Sequence, residues 1–79
     1  MILRDLLRID GFTLKQAKIV ELFYFGVGYK EIAMKFGITT KSVKGHMQNV
    51  YWSFDIHSEA ELRAYCHRRL FEYLPGLQQ

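Results

Sequence analysis

A chain of 79 residues is enough for one folded domain and too short to add a second core beside it. Hydrophobic residues make up 49% and charged residues 24%, which excludes a disordered chain, and the single cysteine, Cys66, excludes an intrachain disulfide or a multi-cysteine metal site. The net charge of +3 is unevenly placed: residues 27 to 48 hold Lys30, Lys35, Lys41 and Lys44 against one acid, Glu31, while the rest of the chain carries seven bases and seven acids.

Ile2, Leu3, Leu6 and Leu7 fall at helical spacing with Arg4, Asp5 and Arg8 between them, and Asp10-Gly11 supplies a stop. A short amphipathic helix or arm is therefore predicted over residues 1–11. Its apolar strip caps the core in the simpler reading and faces a partner in the other. Thr13-Leu14-Lys15-Gln16 reads as a capping box. The helix it opens carries Ala17, Val20, Tyr24 and Val27 on one stripe, widened by Ile19 and Phe23, until Gly26 and Gly28 break it. Because its C-terminal half is apolar nearly all round, it is the predicted central helix.

Lys30 to Phe36 gives two turns with Ile32, Ala33 and Phe36 on one face, stopped by Gly37. Thr39 or Thr40 can cap the next helix, over about Thr40–Phe54, where Val43, Met47, Val50 and Phe54 point inward and leave Lys41, Lys44, Gly45 and Gln48 outside. Ser58-Glu59-Ala60-Glu61 is a second capping box. It opens a last helix with the stripe Leu62, Tyr65, Cys66, Leu70 and Tyr73, ended by Pro75-Gly76. The fold class is all-α: a four-helix domain over 12–74, a short extra N-terminal helix, and a flexible tail at 75–79. There is no repeat and no strand-like alternation.

His46, His57 and His67 lie 11 and 10 positions apart, matching no compact metal-ligand spacing. No close carboxylate pair, nucleophile-base grouping or phosphate-binding glycine loop is present, so no catalytic residue, metal or cofactor is expected. The apolar run Leu22 to Tyr29 is far short of a membrane span, and the charges of the first eight residues interrupt any signal-peptide core. These features and the single cysteine predict a protein of the reducing cytoplasm, with no membrane partner.

The strongest local signal is Ile32-Ala33, Phe36-Gly37-Ile38 and Val43, the spacing of a DNA-binding helix-turn-helix. Ala33 is small where the two helices cross, Gly37 can take the left-handed turn conformation, and Ile32, Phe36, Ile38 and Val43 pin both helices to the core. An α-helix fits the major groove of duplex DNA. Lys44, Gln48 and Lys41 are candidates for base contact, and Lys30 with the hydroxyls of Thr39, Thr40 and Ser42 for phosphate contact. Gly45 costs about 1 kcal/mol inside a helix relative to alanine, which close approach to DNA would explain. His46 is read as a half-buried packing residue. Tyr51 and Trp52 are expected to pack beside the core stripe rather than stack on exposed bases, Cys66 to fill the core rather than crosslink a dimer, and His67, Arg68 and Arg69 to be solvated.

On these residues the chain resembles the LuxR/GerE-type helix-turn-helix family of bacterial transcription regulators. The matching positions are Phe12-Thr13, Gly26, Lys30-Glu31-Ile32-Ala33, Phe36-Gly37-Ile38-Thr39, Ser42-Val43-Lys44 with His46, Asn49-Val50, and Ile56 with Ser58 and Glu61. The resemblance runs from about Phe12 to Arg69. It implies a third helix in the major groove and a fourth that makes a homodimer contact, which places base contact on Lys44, Gly45 and Gln48, phosphate contact on Lys30, Thr39 and Ser42, and the dimer interface on Leu62, Tyr65, Cys66, Arg69, Leu70 and Tyr73. The chain departs from the family at Lys15-Gln16, where Arg-Glu is usual, at Ser53 (lysine), at Phe54 (leucine) and at Glu59 (arginine). Eleven residues precede Phe12, so a chain starting at Met1 is expected to be a standalone member.

The leading expectation is a regulator that binds double-stranded DNA as a homodimer, with RNA polymerase or a related regulator as further partners. The alternative is a protein antagonist that pairs with a full-length relative through its last helix or its N-terminal strip and blocks DNA binding. A fragment like the promoter-reading region of a sigma factor ranks third, and an enzyme last.

Overall fold

Local chemistry sets where each helix starts and stops. The computed structural model describes residues 2–74, which form five α-helices: α1 (Ile2–Ile9), α2 (Leu14–Tyr24), α3 (Tyr29–Phe36), α4 (Thr40–Ser53) and α5 (Glu59–Tyr73). The architecture is all-α with an extra N-terminal helix, as expected, and has no strand among the described residues; the proposed tail at 75–79 lies outside them. The Thr13 capping box is complete: its hydroxyl accepts from the Gln16 N–H at 3.1 Å, and the Gln16 side-chain oxygen accepts from the Thr13 N–H at 3.0 Å. Thr39, not Thr40, caps α4, accepting from the Ser42 N–H at 3.0 Å. The second box is half formed. Ser58 accepts from the Glu61 N–H, but the Glu61 carboxylate takes the N–H of His57 instead of that of Ser58.

The first four helices all end in the same way. A residue with positive φ (Gly11, Gly26, Gly37, Asp55) follows the last turn, and the next N–H (Phe12, Val27, Ile38, Ile56) donates to a carbonyl five residues back at 2.9–3.0 Å. This motif satisfies a carbonyl at the helix end and drives an apolar side chain back onto the core. Phe12 and Ile56 are buried, and Val27 and Ile38 pack partly buried against the same cluster. Asp55 fills the left-handed position in the fourth case, a conformation that aspartate tolerates better than most residues.

α2 is central, packing on α1, α3 and α4, while α1 packs on α2 and α5. Leu3, Leu6 and Leu7 of α1 are all buried, so its apolar strip caps the core, the simpler of the two readings. Phe54, where the family usually has leucine, stacks on Phe12 with ring centroids 4.0 Å apart. The larger ring thus links the end of α4 to the α1–α2 turn.

Two polar ties hold α1 and the turn after it. Glu21 is 2% exposed and accepts from the Arg4 guanidinium at 2.9 Å. Asp10 accepts from Arg69 at 2.7 and 3.0 Å and from the Tyr65 hydroxyl, across 59 and 55 positions of sequence. Burial works against the Asp10 charge, but the hydrogen bonds from Arg69 and Tyr65 and the Arg69 charge outweigh it and hold the carboxyl below its ordinary value of 3.8. A carboxyl depressed in the folded state contributes stability at neutral pH that is lost as pH falls through 3.8 and then through the folded value. Melting temperature should therefore decline on acidification below about pH 5. Asp10→Asn should be less stable at pH 7 and show a shallower decline; parallel profiles for the two proteins would remove this role from Asp10.

Candidate nucleic-acid interface

α3 and α4 are joined by a tight turn. Gly37 sits at φ +63°, and the Ile38 N–H donates to the Ala33 carbonyl at 3.0 Å, so the chain reverses within three residues. Ile32 and Ala33 of α3 and Val43, Met47 and Val50 of α4 are buried, and Phe36 and Ile38 pack against them. With one face of α4 committed to the core, the helical period turns the other outward. Lys41, Lys44, Gly45 and Gln48 are all exposed. Gly45 has no intramolecular reason to lack a side chain, since a β-carbon built there meets nothing within 4 Å. His46 is half-buried, as expected of a packing residue.

The candidates for phosphate contact sit around the two helix N-termini. Lys30 is exposed in the first turn of α3, whose N-cap, Gly28, offers no side-chain cap, so the first-turn N–H groups remain for an outside acceptor. Thr39 and Thr40 are exposed and Ser42 is half-buried. The Thr39 oxygen accepts from Ser42, which leaves its own O–H free to donate. None of Lys30, Lys41 and Lys44 forms an ion pair among the described residues.

The GerE family model, described as bacterial regulatory proteins of the luxR family, matches residues 10–66. The chain belongs to that family. Searches of curated proteins and of solved structures return no match. The GerE match covers the α1–α2 turn, α2, α3, α4 and the first half of α5, and leaves α1 outside. The family is one of DNA-binding transcription regulators rather than enzymes. Among the described residues no three metal-ligating side chains come together, and no helix is long and apolar enough to cross a membrane.

The GerE domain also shows features that periodicity did not reveal. Glu59, in the position usually held by arginine, accepts from the Tyr29 hydroxyl at 2.7 Å and so ties the start of α5 to the start of α3. Burial and then this hydrogen bond raise the Tyr29 hydroxyl above its ordinary value, so it stays a donor. Trp52, expected to pack, is instead 80% exposed, while Tyr51 beside it packs half-buried against the core.

Most of the residues expected at a dimer interface are engaged within the protomer. Leu62 and Cys66 are fully buried in the protomer's own core, Tyr65 and Arg69 are bound to Asp10, and Leu70 packs against the core; of the six only Tyr73 is exposed. Arg69 is accordingly not a solvated residue, and Cys66 is closed off from any crosslink, its thiol pushed up to about 12 by burial. An apolar stripe on a last helix looks the same in sequence whether it meets a partner or its own domain. Here α1 and Phe12 complete the pocket that receives it. The opposite face of α5, with Ala60, Ala64, His67, Arg68 and Phe71, is the exposed one.

Proposed function

We propose that this GerE-family domain is a sequence-specific regulator of transcription that binds duplex DNA as a dimer, with α4 lying in the major groove. The observation that carries this reading is Gly45. A helical glycine costs about 1 kcal/mol relative to alanine, and nothing inside the protein requires it. It stands between Lys41, Lys44 and Gln48 on the outward face, where a bare backbone lets a helix approach base edges closely. Lys44 and Lys41 supply donors suited to guanine, and Gln48 a donor-acceptor pair suited to adenine. Lys30, Thr39, Thr40 and Ser42, with the open N-terminus of α3, would fix the domain on the phosphates.

For the dimer, the outer face of α5 is the better candidate than its inward stripe. Ala60 and Ala64 are small enough for two helices to approach, and Phe71 offers apolar area, 39% exposed. The exposure of Lys41 and Lys44 on the outward face of α4, neither in an ion pair among the described residues, favours DNA binding over the antagonist reading, in which that face has no task. RNA polymerase or a related regulator would be met by surfaces outside the DNA face.

Selection of bound duplexes from random DNA tests the proposal. The expected result is two inverted half-sites with centres about 10 base pairs apart, or a multiple of that, bound less tightly as salt rises. Recovery of no shared sequence would remove specific reading, and a single half-site would remove the symmetric dimer.

A further inference from the structure

We propose that Trp52 is a specificity-determining residue of the same face, laying its indole against thymine 5-methyl groups in the major groove; this rests on the reading of α4 as the groove-entering helix. Trp52 is 80% exposed, and no ring contact or hydrogen bond engages it among the described residues. A lone exposed apolar side chain needs no ligand of its own, so the assignment rests on where the indole stands rather than on its exposure. Eleven residues separate Lys41 from Trp52, about three helical turns, so the two fall on one line with Gly45 and Gln48. Trp52, Gln48 and Gly45 border one shallow depression with Ser42, His46 and Asn49.

Shape supports the assignment. The line from Lys41 to Trp52 is about 16 Å long, and a straight helix laid in a groove that curves around the duplex comes nearest the floor at its middle. Gly45 and Gln48 occupy that middle. Long side chains stand at the two ends, where the floor falls away: a lysine at the first and tryptophan at the last. The last turn of α4 has no basic residue to meet a phosphate. The thymine methyl is the apolar group that duplex DNA displays in the major groove, and a flat, uncharged indole matches it.

The test uses the full chain, wild type and Trp52→Ala, with duplexes recovered by selection and the same duplexes carrying deoxyuridine in place of thymidine. Binding is followed by anisotropy of labelled DNA, and the surroundings of the indole by its emission, which is unambiguous because the chain has one tryptophan. Wild-type binding to the thymine duplex should shift that emission to shorter wavelength. Removing the methyls should weaken wild-type binding about fourfold for each methyl contacted and leave Trp52→Ala unchanged. Equal loss in both proteins, or unchanged emission on a duplex that anisotropy shows to be bound, would overturn the proposal. Failure of the selection to recover any bound duplex refutes the DNA reading itself, so the two failures are distinguishable.

Discussion

Arg4→Met is expected to destabilise the domain by about 2–3 kcal/mol, although Arg4 lies in the short helix outside the family match. Its guanidinium is the charged partner of Glu21, whose side chain is 3% exposed, and removing one member of a buried pair leaves the other charge dry and uncompensated. Such a loss costs about 3–5 kcal/mol for a fully buried pair. Arg4 itself is 36% exposed, so water screens the interaction and the lower figure applies. The Arg4 backbone N–H, 3.3 Å from the Glu21 carboxylate, remains in either case. Arg4→Met combined with Glu21→Leu should recover most of the loss, because burying two apolar groups avoids the desolvation of both charges. Urea midpoints of the single and double variants, at unchanged slope, decide the matter. A single variant as stable as wild type would show that α1 is held by its leucines alone.

Lys44→Ala is expected to lower affinity for the selected site by about 1–3 kcal/mol, roughly fivefold to more than a hundredfold, and to change unrelated duplexes much less. Lys44 is exposed on α4 immediately before Gly45, and alanine there removes the charged donor that the proposed base contact needs. Lys30→Ala should behave differently. A phosphate contact carries no sequence information, so all duplexes should weaken together and the salt slope should fall by about one. Competition binding with both variants at two salt concentrations separates the roles. If Lys44→Ala weakens every duplex equally, Lys44 is a phosphate contact and base reading rests on Gln48 and its neighbours.

Sequence alone determined what depends on near neighbours. The Thr13 box and the glycine stops at Gly11, Gly26 and Gly37 are hydrogen bonds within five residues, so residue type and spacing fix them, whereas the cap of α4 stayed open between Thr39 and Thr40. The outward stripe of α4 followed from the period of Val43, Met47 and Val50, and the motif around Gly37 pointed to the family. Asp55 escaped notice because aspartate is a weaker local sign of a left-handed turn than glycine.

Tertiary structure decided everything that needs two distant segments to meet. Arg69 looked solvated until Asp10 arrived from 59 positions away, and Glu21 interrupts an apolar stripe with a charge that only Arg4 makes tolerable. The stripe of Leu62 and Cys66 could serve a partner or the protomer until α1 and Phe12 closed over it. Trp52 had no such cover, and its exposure could not be read from a sequence in which tryptophan ordinarily packs. Periodicity tells which side chains share a face of a helix; what that face touches is settled by the competition among all the apolar surfaces of the chain for the same interior.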